Sequence, residues 1–260
     1  MKIAILGNGY LGNRIGDING WKVFGHRINS YRDLERFYLR YKPKVIVNAI
    51  GFTGTPNVDD CEVHIDETLK ANTQLAIYFA ELAFRYDVHI VHFSSGCIYK
   101  DTTRWHKESD IADYDGLLYA RSKIYAEEML KYALRQGRKI SLCRIRIPID
   151  TRSSPKNVIN KLIRYKTIID IPNSVTYVPM FADMLKFIVE KKAYGIFHTV
   201  NEGSLRYPEM MDKVRPEFKY KVVTPEQIHL KRTNLRLLPD NLKKLGYKVM
   251  TVKEMLKNLC

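Results

Sequence analysis

The sequence predicts an α/β fold, a doubly wound parallel sheet with a smaller C-terminal lobe, and three observations predict it. Short apolar runs alternate with helical segments as far as Val200. The run from Lys44 to Ile50 is nearly continuous in apolar residues, as expected of a parallel strand covered on both faces. Three glycines spaced Gly-x-Gly-x-x-Gly (Gly7, Gly9, Gly12) stand where the first strand gives way to a helix.

The elements follow in order. Lys2 to Leu6 is a short apolar strand, the glycines open a helix, and Trp21 to Phe24 is the second strand. Ser30 to Tyr41 carries Leu34, Phe37, Tyr38 and Tyr41 at helical spacing until Pro43 interrupts. After the strand at 44–50, Asp60 to Tyr86 is mostly helical and Val88 to Ser94 is a strand. Gly116 to Arg135 is a helix, Lys139 to Ile145 a strand, Phe181 to Lys191 a helix, and Gly195 to Val200 the last strand. Asp150 to Ser174 and the tail after Asn201 break this rhythm with Pro155, Pro172, Pro208, Pro216, Pro225 and Pro239. The expected division is therefore a dinucleotide-binding Rossmann domain of residues 1–149 plus 176–200. Residues 150–175 plus 201–260 form the expected substrate-binding lobe, beside the carboxyl ends of the strands.

Composition narrows the partners. With 260 residues, 45% of them hydrophobic, the chain can fill a sizeable core. No apolar stretch approaches the roughly 18 residues of a membrane span, and Met1 to Leu6 is too short an apolar run for a signal peptide before it meets Gly7. Cys61, Cys97, Cys143 and Cys260 form no C-x-x-C pair, which favours a reducing, cytoplasmic setting. The net charge of +15 is spread without a basic run of five or a nucleic-acid-binding motif, so anionic small ligands are expected and nucleic acid and membrane are not. His89 and His92, three apart in a strand, point to opposite faces, and the other histidines lack metal-ligand spacing; no metal is expected.

The segment Gly7-Asn8-Gly9-Tyr10-Leu11-Gly12 suits a pyrophosphate, because glycines let the main chain approach and the helix N-terminus favours negative charge. After the second strand comes Gly25-His26-Arg27 where an NAD enzyme carries an acidic residue for the ribose hydroxyls. Arg27 can pair with a 2′-phosphate, which points to NADPH, with NADH as the alternative. Further on, Tyr119 and Lys123 share one helix face, one turn apart. Reducing a ketone needs a proton on oxygen, and a phenol with an ordinary pKa of about 10 requires tuning to supply it near neutrality. Lys123 can tune it, and Ser95, at the end of a strand, adds a second hydrogen-bond donor where negative charge develops. The order glycine loop, Ser95, Tyr119, Lys123 is the layout of the short-chain reductases.

Several stretches carry a closer resemblance. Val47-Asn48-Ala49-Ile50-Gly51, Asn72 and the Tyr119/Lys123 helix resemble the dTDP-4-dehydrorhamnose reductase branch of the extended short-chain dehydrogenase/reductases. The glycine loop is one residue shorter than the Gly-x-x-Gly-x-x-Gly usual there. Closer still is the bifunctional nucleotide-rhamnose synthase family of epimerase/reductases. Its matching stretches are Thr53 to Glu62, Ser95 to Tyr99, Arg146 to Ile149, Pro155 through Tyr165, and Ile171 to Ser174. The likeness runs to about Tyr207 and thins in the tail.

The resemblance implies conversion of UDP-4-keto-6-deoxyglucose to UDP-L-rhamnose, by inversion of C3 and C5 and reduction of C4. It also implies that Ala49, Ile50 and Gly51 line the cofactor, and that a Cys and a Lys form the epimerisation acid–base pair, falling on Cys97 and Lys161. Thiol and amine ordinarily titrate at about 8.5 and 10.4, so the site has to tune both, and the cationic neighbourhood of Lys161 would help Cys97 ionise. Thr53, Gly54, Pro56 and Asn57 follow a strand where the sugar would lie, and Arg164 and Arg232 are candidates for its pyrophosphate. An upstream UDP-glucose 4,6-dehydratase would supply the substrate, and the sequence leaves a homodimer open. The competing expectations are a 4-ketoreductase without epimerase activity, a nucleotide-sugar epimerase holding NAD without net reduction, and a non-catalytic regulatory subunit of the same fold.

Overall fold

The computed structural model describes residues 1–228 and 234–259. Its central sheet is built from β1 (Ile3–Leu6), β2 (Lys22–Phe24), β3 (Val45–Asn48), β4 (His89–Ser95), β6 (Ile140–Ile145) and β10 (Gly195–His198). The strands are all parallel, in the order β10-β6-β4-β3-β1-β2. Between β4 and β6 lies the short β5 (Trp105–His106).

Alternate residues of the strands face opposite layers, which is why their sequences are apolar throughout. Ile5, Val47, Val91, Phe93 and Cys143 belong to one core with Ile15 of α1 (Tyr10–Asn19) and Phe181 and Leu185 of a helix described below. Ala4, Leu6, Ile46, Ile90 and Leu142 belong to the other core. Its helical partners come from α2 (Tyr31–Tyr41), α4 (Leu75–Arg85) and α5 (Leu118–Arg135). Ser30 caps α2 with a capping box to Asp33, which fixes where that helix begins.

The region expected to be mostly helical from 60 to 86 is divided. A 3₁₀ turn at Val58–Glu62 leads into α3 (Ile65–Leu69), then a π-helical turn at Lys70–Gln74, then α4. The π turn carries Asn72, fully buried. Such turns break the four-residue ladder and frequently mark functional positions.

After β6 the chain forms β7 (Pro148–Ile149), α6 (Val158–Leu162), β8 (Thr167–Ile169) and β9 (Thr176–Tyr177) before α7 (Val178–Glu190). The helix expected from Phe181 begins three residues earlier, with Pro179 in its first turn, where a missing N–H costs nothing. Beyond β10 come α8 (Tyr207–Val214), β11 (Lys221–Val223), β12 (Arg236–Leu237), α9 (Asp240–Lys244) and α10 (Val252–Asn258). β11 of the tail pairs with β8 of the 150–174 segment, while β9 pairs with β7 and β12 with β5.

A buried polar network locks α5 onto the sheet. Arg144 and Glu127, both inaccessible, form an ion pair at 2.6 Å, and Ser94 donates to Glu127 at 2.6 Å. Arg144 also donates to the Tyr99 hydroxyl and the Glu108 carbonyl. His198 Nδ1 lies 3.0 Å from the Leu238 carbonyl, so that nitrogen carries the proton and Nε2 accepts from Tyr99 at 2.8 Å. Burial raises the Glu127 carboxyl, but Arg144 and Ser94 outweigh it and hold the group down at about 2.

Replacing Glu127 with Gln leaves Arg144 buried without a counter-charge, a loss expected to cost about 3–5 kcal/mol. Urea unfolding should read that loss directly, while the double change Glu127→Leu with Arg144→Met should cost well under the sum of the two single changes.

Candidate active site

The order of strands reverses between β1 and β3, since the chain leaves β1 for β2 on one side and returns to β3 on the other. In open α/β sheets ligands bind at the carboxyl ends beside such a switch point. Here those ends are Gly7 and the segment from Ala49. A Cβ on Gly7, whose φ is +113°, would stand 2.8 Å from the Ala49 carbonyl carbon, and one on Gly12 would stand 1.9 Å from the Gly7 oxygen. Gly9 differs, because a Cβ there meets nothing within 4 Å.

Gly9 is also the N-cap of α1, and no side chain caps that end. The first-turn N–H groups, from Tyr10, Leu11 and Gly12, therefore have no intrahelical partner. An anionic pyrophosphate fits this cradle. Asn8 packs against Gly25, whose Cβ position is 2.7 Å from the Asn8 amide nitrogen. The Tyr10 side chain turns elsewhere, its hydroxyl donating to Asp150 at 3.3 Å beside the Arg14–Asp150 ion pair at 2.8 Å. Only the Tyr10 main chain thus faces the cradle. Arg27 is exposed three residues beyond β2.

The loop Ala49-Ile50-Gly51 is held from behind. Asn48 accepts from Ile50 N at 3.1 Å, and Asn72 accepts from Phe52 N at 2.8 Å while donating to the Phe52 carbonyl at 3.0 Å. A Cβ on Gly51 would stand 3.4 Å from Lys123 Nζ. Lys123 lies on the buried face of α5 with Tyr119 and Glu127, and donates to the Phe93 carbonyl at 3.2 Å. Burial outweighs the attraction of Glu127 and pulls the Lys123 ammonium down to about 8.

Tyr119 is one turn earlier on the same face. Its phenol is hydrogen-bonded to the Ser95 side chain, and burial together with the neighbouring Cys97 sulfur pushes its pKa up, with Ser95 and Arg146 opposing. The sequence expects this phenol to be tuned towards neutrality; burial moves it the other way, so it stays protonated but is a weaker acid than a free phenol. Cys97 follows Ser95 by two residues, and its N–H donates to Ser95 Oγ at 3.1 Å. Ser95, Cys97 and Tyr119 thus meet at the carboxyl end of β4, and Lys123, one turn along α5, bonds the Phe93 carbonyl of the same strand.

The other candidates divide. Gly54, with φ +64°, makes the turn that brings Asp60 to accept from Thr55 N at 3.0 Å. Thr53 is exposed beside it, and Asn57 spends its side-chain oxygen capping the 3₁₀ turn through Asp59 N at 2.8 Å. Lys161 reaches this loop, donating to the Pro56 carbonyl at 3.3 Å. Arg164 is exposed past the end of α6, and Arg232 lies outside the described residues.

Sequence reasoning missed Arg146, Glu62 and the network behind α5. It gave Cys97 the cationic neighbourhood of Lys161; the cation in hydrogen-bond contact with the sulfur is Arg146. Two arginines inside the apolar run Ser141 to Ile149 were the available signal, because a charge in a buried strand demands a partner. Glu62 accepts from Leu118 N and thereby caps the helix that carries Tyr119.

A glycine cradle at the switch point and a Ser–Tyr–Lys constellation at the next strand define a dinucleotide-dependent enzyme of the Rossmann class. The model of the NAD dependent epimerase/dehydratase family matches residues 11–164, and the chain belongs to that family. Among curated relatives, it is 28% identical over 98% of its length to the trifunctional UDP-glucose 4,6-dehydratase/UDP-4-keto-6-deoxy-D-glucose 3,5-epimerase/UDP-4-keto-L-rhamnose-reductase RHM1 of Arabidopsis thaliana. The chain spans only 41% of that protein. It is 29% identical, over 83% of its length and 75% of the relative, to the bifunctional dTDP-4-dehydrorhamnose 3,5-epimerase/dTDP-4-dehydrorhamnose reductase of the same plant. The crystal structure of the L780 UDP-rhamnose synthase from Acanthamoeba polyphaga mimivirus superposes with a TM-score of 0.89 at 24% identity, covering 100% of this chain and 98% of that one.

The depressed Lys123 has a measurable signature in stability. The unfolded lysine holds its proton to about 10.5 and the folded one to about 8, so the unfolded state binds more protons between those values. Stability should therefore rise by about 1–3 kcal/mol as pH climbs from 8 to 10.5. Lys123→Met should be the more stable protein at pH 7 and should lack that rise in urea titrations.

Proposed function

We propose that this protein is an NADPH-dependent nucleotide-sugar 3,5-epimerase/4-reductase, converting UDP-4-keto-6-deoxy-D-glucose to UDP-L-rhamnose. The observation that carries the reading is that a thiol, a phenol and a serine hydroxyl share one neighbourhood: the Cys97 main-chain N–H donates to Ser95 Oγ, Ser95 is bonded to the Tyr119 phenol, and the Cys97 sulfur lies close enough to add to the effect of burial on that phenol. Two Arabidopsis relatives named for both an epimerase and a reductase activity support it.

The chemistry follows from the C4 ketone. Removing a proton from C3 or C5 leaves an enolate, whose charge rests on the C4 oxygen. Ser95 and Tyr119 donate hydrogen bonds to that oxygen, where a preorganised donor stabilises developing charge most. Cys97 takes the proton from one face, and Lys161, beside the Pro56 loop, returns one to the other. The same two donors then serve reduction, with Tyr119 protonating the C4 oxygen and Lys123 holding the nearby ribose and lending its charge. The Gly7–Gly12 cradle and the Ala49–Gly51 loop would hold NADPH, which would supply the hydride.

Arg27 would pair with the 2′-phosphate of that cofactor. The segments 150–175 and 201–260 form the lobe over the sugar, and Thr53, Gly54, Pro56, Asn57 and Arg164 line its path. A 4,6-dehydratase supplies the keto sugar.

Purified protein given NADPH and UDP-4-keto-6-deoxyglucose, without a separate epimerase, should yield UDP-L-rhamnose by NMR of the sugar ring. Turnover only after an epimerase is added would reduce the protein to a 4-ketoreductase. Cys97→Ala should lower deuterium exchange at C3 and C5 at least 100-fold and lower reduction of the pre-epimerised ketone less than tenfold, a loss of a positioned acid–base group. Surviving exchange would remove Cys97 from the role of base. Arg27→Asp should raise KM for NADPH by roughly tenfold or more while sparing NADH, the expected cost of replacing an arginine–phosphate contact by a repulsion.

A further inference from the structure

Arg146 is a charge the proposed mechanism does not use. It sits just past β6, 6% exposed, with one guanidinium nitrogen on Cys97 Sγ and the other on Asn173 Oδ1 at 2.8 Å. Asn173 is itself fixed, because its oxygen also accepts from Leu235 N at 3.0 Å and its main chain pairs with Leu205. On the other side, Arg146 N donates to Thr176 Oγ1 at 3.0 Å, and Thr176 belongs to β9. The guanidinium is therefore aimed from a frame of two strands and a bridge.

Direction matters in that contact. Every guanidinium N–H is a donor, so the sulfur is the acceptor and its own proton, when present, points elsewhere. A sulfur that accepts from a buried cation is favoured in its anionic form, since charge-assisted hydrogen bonds exceed neutral ones. The N–H of Cys97 is turned away onto Ser95 Oγ, so two residues divide the work of holding Cys97. Ser95 holds the main chain, and Arg146 holds the sulfur. Gly96 permits this closeness, because a Cβ there would meet Leu237 Cδ1 at 2.5 Å and Arg146 Cδ at 3.5 Å.

We propose that Arg146 is a positioning residue for epimerisation, holding the Cys97 sulfur as a thiolate aimed at the sugar. This rests on the assignment of Cys97 as base. Before the step, the thiol proton has passed to solvent, and the sulfur's charge is paired with Arg146. The C–H bond beside the ketone then breaks, its proton forms the S–H bond, and its electron pair moves to the C4 oxygen. Arg146 is left facing a neutral thiol. Lys161 gives one proton to the opposite face of the carbon, and solvent exchange restores both groups. No redox partner enters.

Removing such a contact should cost roughly 10–100-fold in the step that uses it. The test compares wild-type protein with Arg146→Met and Arg146→Lys by three readouts. Without cofactor, deuterium exchange into C3 and C5 should fall at least tenfold more in Arg146→Met than reduction of the pre-epimerised ketone falls in its presence. The rate of iodoacetamide labelling at the Cys97 peptide, at pH 7, should fall in parallel with exchange. Arg146→Lys, which keeps the charge, should recover part of both.

Equal losses in exchange and reduction, or unchanged labelling, would make Arg146 a structural residue and overturn the proposal. Labelling is independent of the sugar. If wild-type protein shows no exchange but labelling still depends on Arg146, the assignment of Cys97 as epimerisation base fails while the pairing stands.

Discussion

The Glu127 carboxylate, sealed from solvent between Arg144 of β6 and Ser94 of β4, decides where α5 lies on the sheet. An apolar helix face could slide or rotate by a fraction of a turn at little cost, because dispersion contacts are non-directional. A bidentate ion pair cannot, and its register is passed along the helix at steps of four residues to Lys123 and Tyr119. Glu62, receiving Leu118 N, fixes the same helix at its other end. The phenol and the ammonium therefore inherit their positions from two carboxylates that touch no substrate. Buried ion pairs add little net stability, so specifying position is the better account of why this one is present.

Much of this was legible in the sequence, for identifiable reasons. The sheet was legible because strands covered on both faces leave an apolar run, as Val45 to Asn48 does, and each such run was found within a residue or two. The cofactor cradle was legible because steric exclusion leaves glycine as the sole solution at Gly7 and Gly12. Helical periodicity put Tyr119 and Lys123 on one face, and it was their order after the glycine loop and Ser95 that singled them out.

What was illegible lies where contacts are long-range. Arg146 reaches Cys97 across 49 residues, and no local pattern announces such a pairing. Arg144, two residues earlier, likewise signals that it needs a partner but not which one, and Glu127 of α5 supplies it. The division of the 60–86 region into a 3₁₀ turn, a helix and a π turn was hidden for a different reason. Apolar spacing there fits one continuous helix, and the break depends on Asn72 being drawn inward to bind Phe52 and Ser122. The short strands β7, β8, β9 and β11 pair with one another across 20 to 60 residues, too brief to show periodicity and too distant to show a turn signal.

The glycine loop holds two kinds of constraint within six residues. At Gly7 and Gly12 the obstacle to a side chain is the protein's own main chain, so the fold itself enforces the choice. At Gly9 the protein offers no obstacle to a side chain, so packing does not demand glycine there. The same short loop thus combines two positions closed by the fold with one left open at an uncapped helix end, where an anion can come close to the main chain.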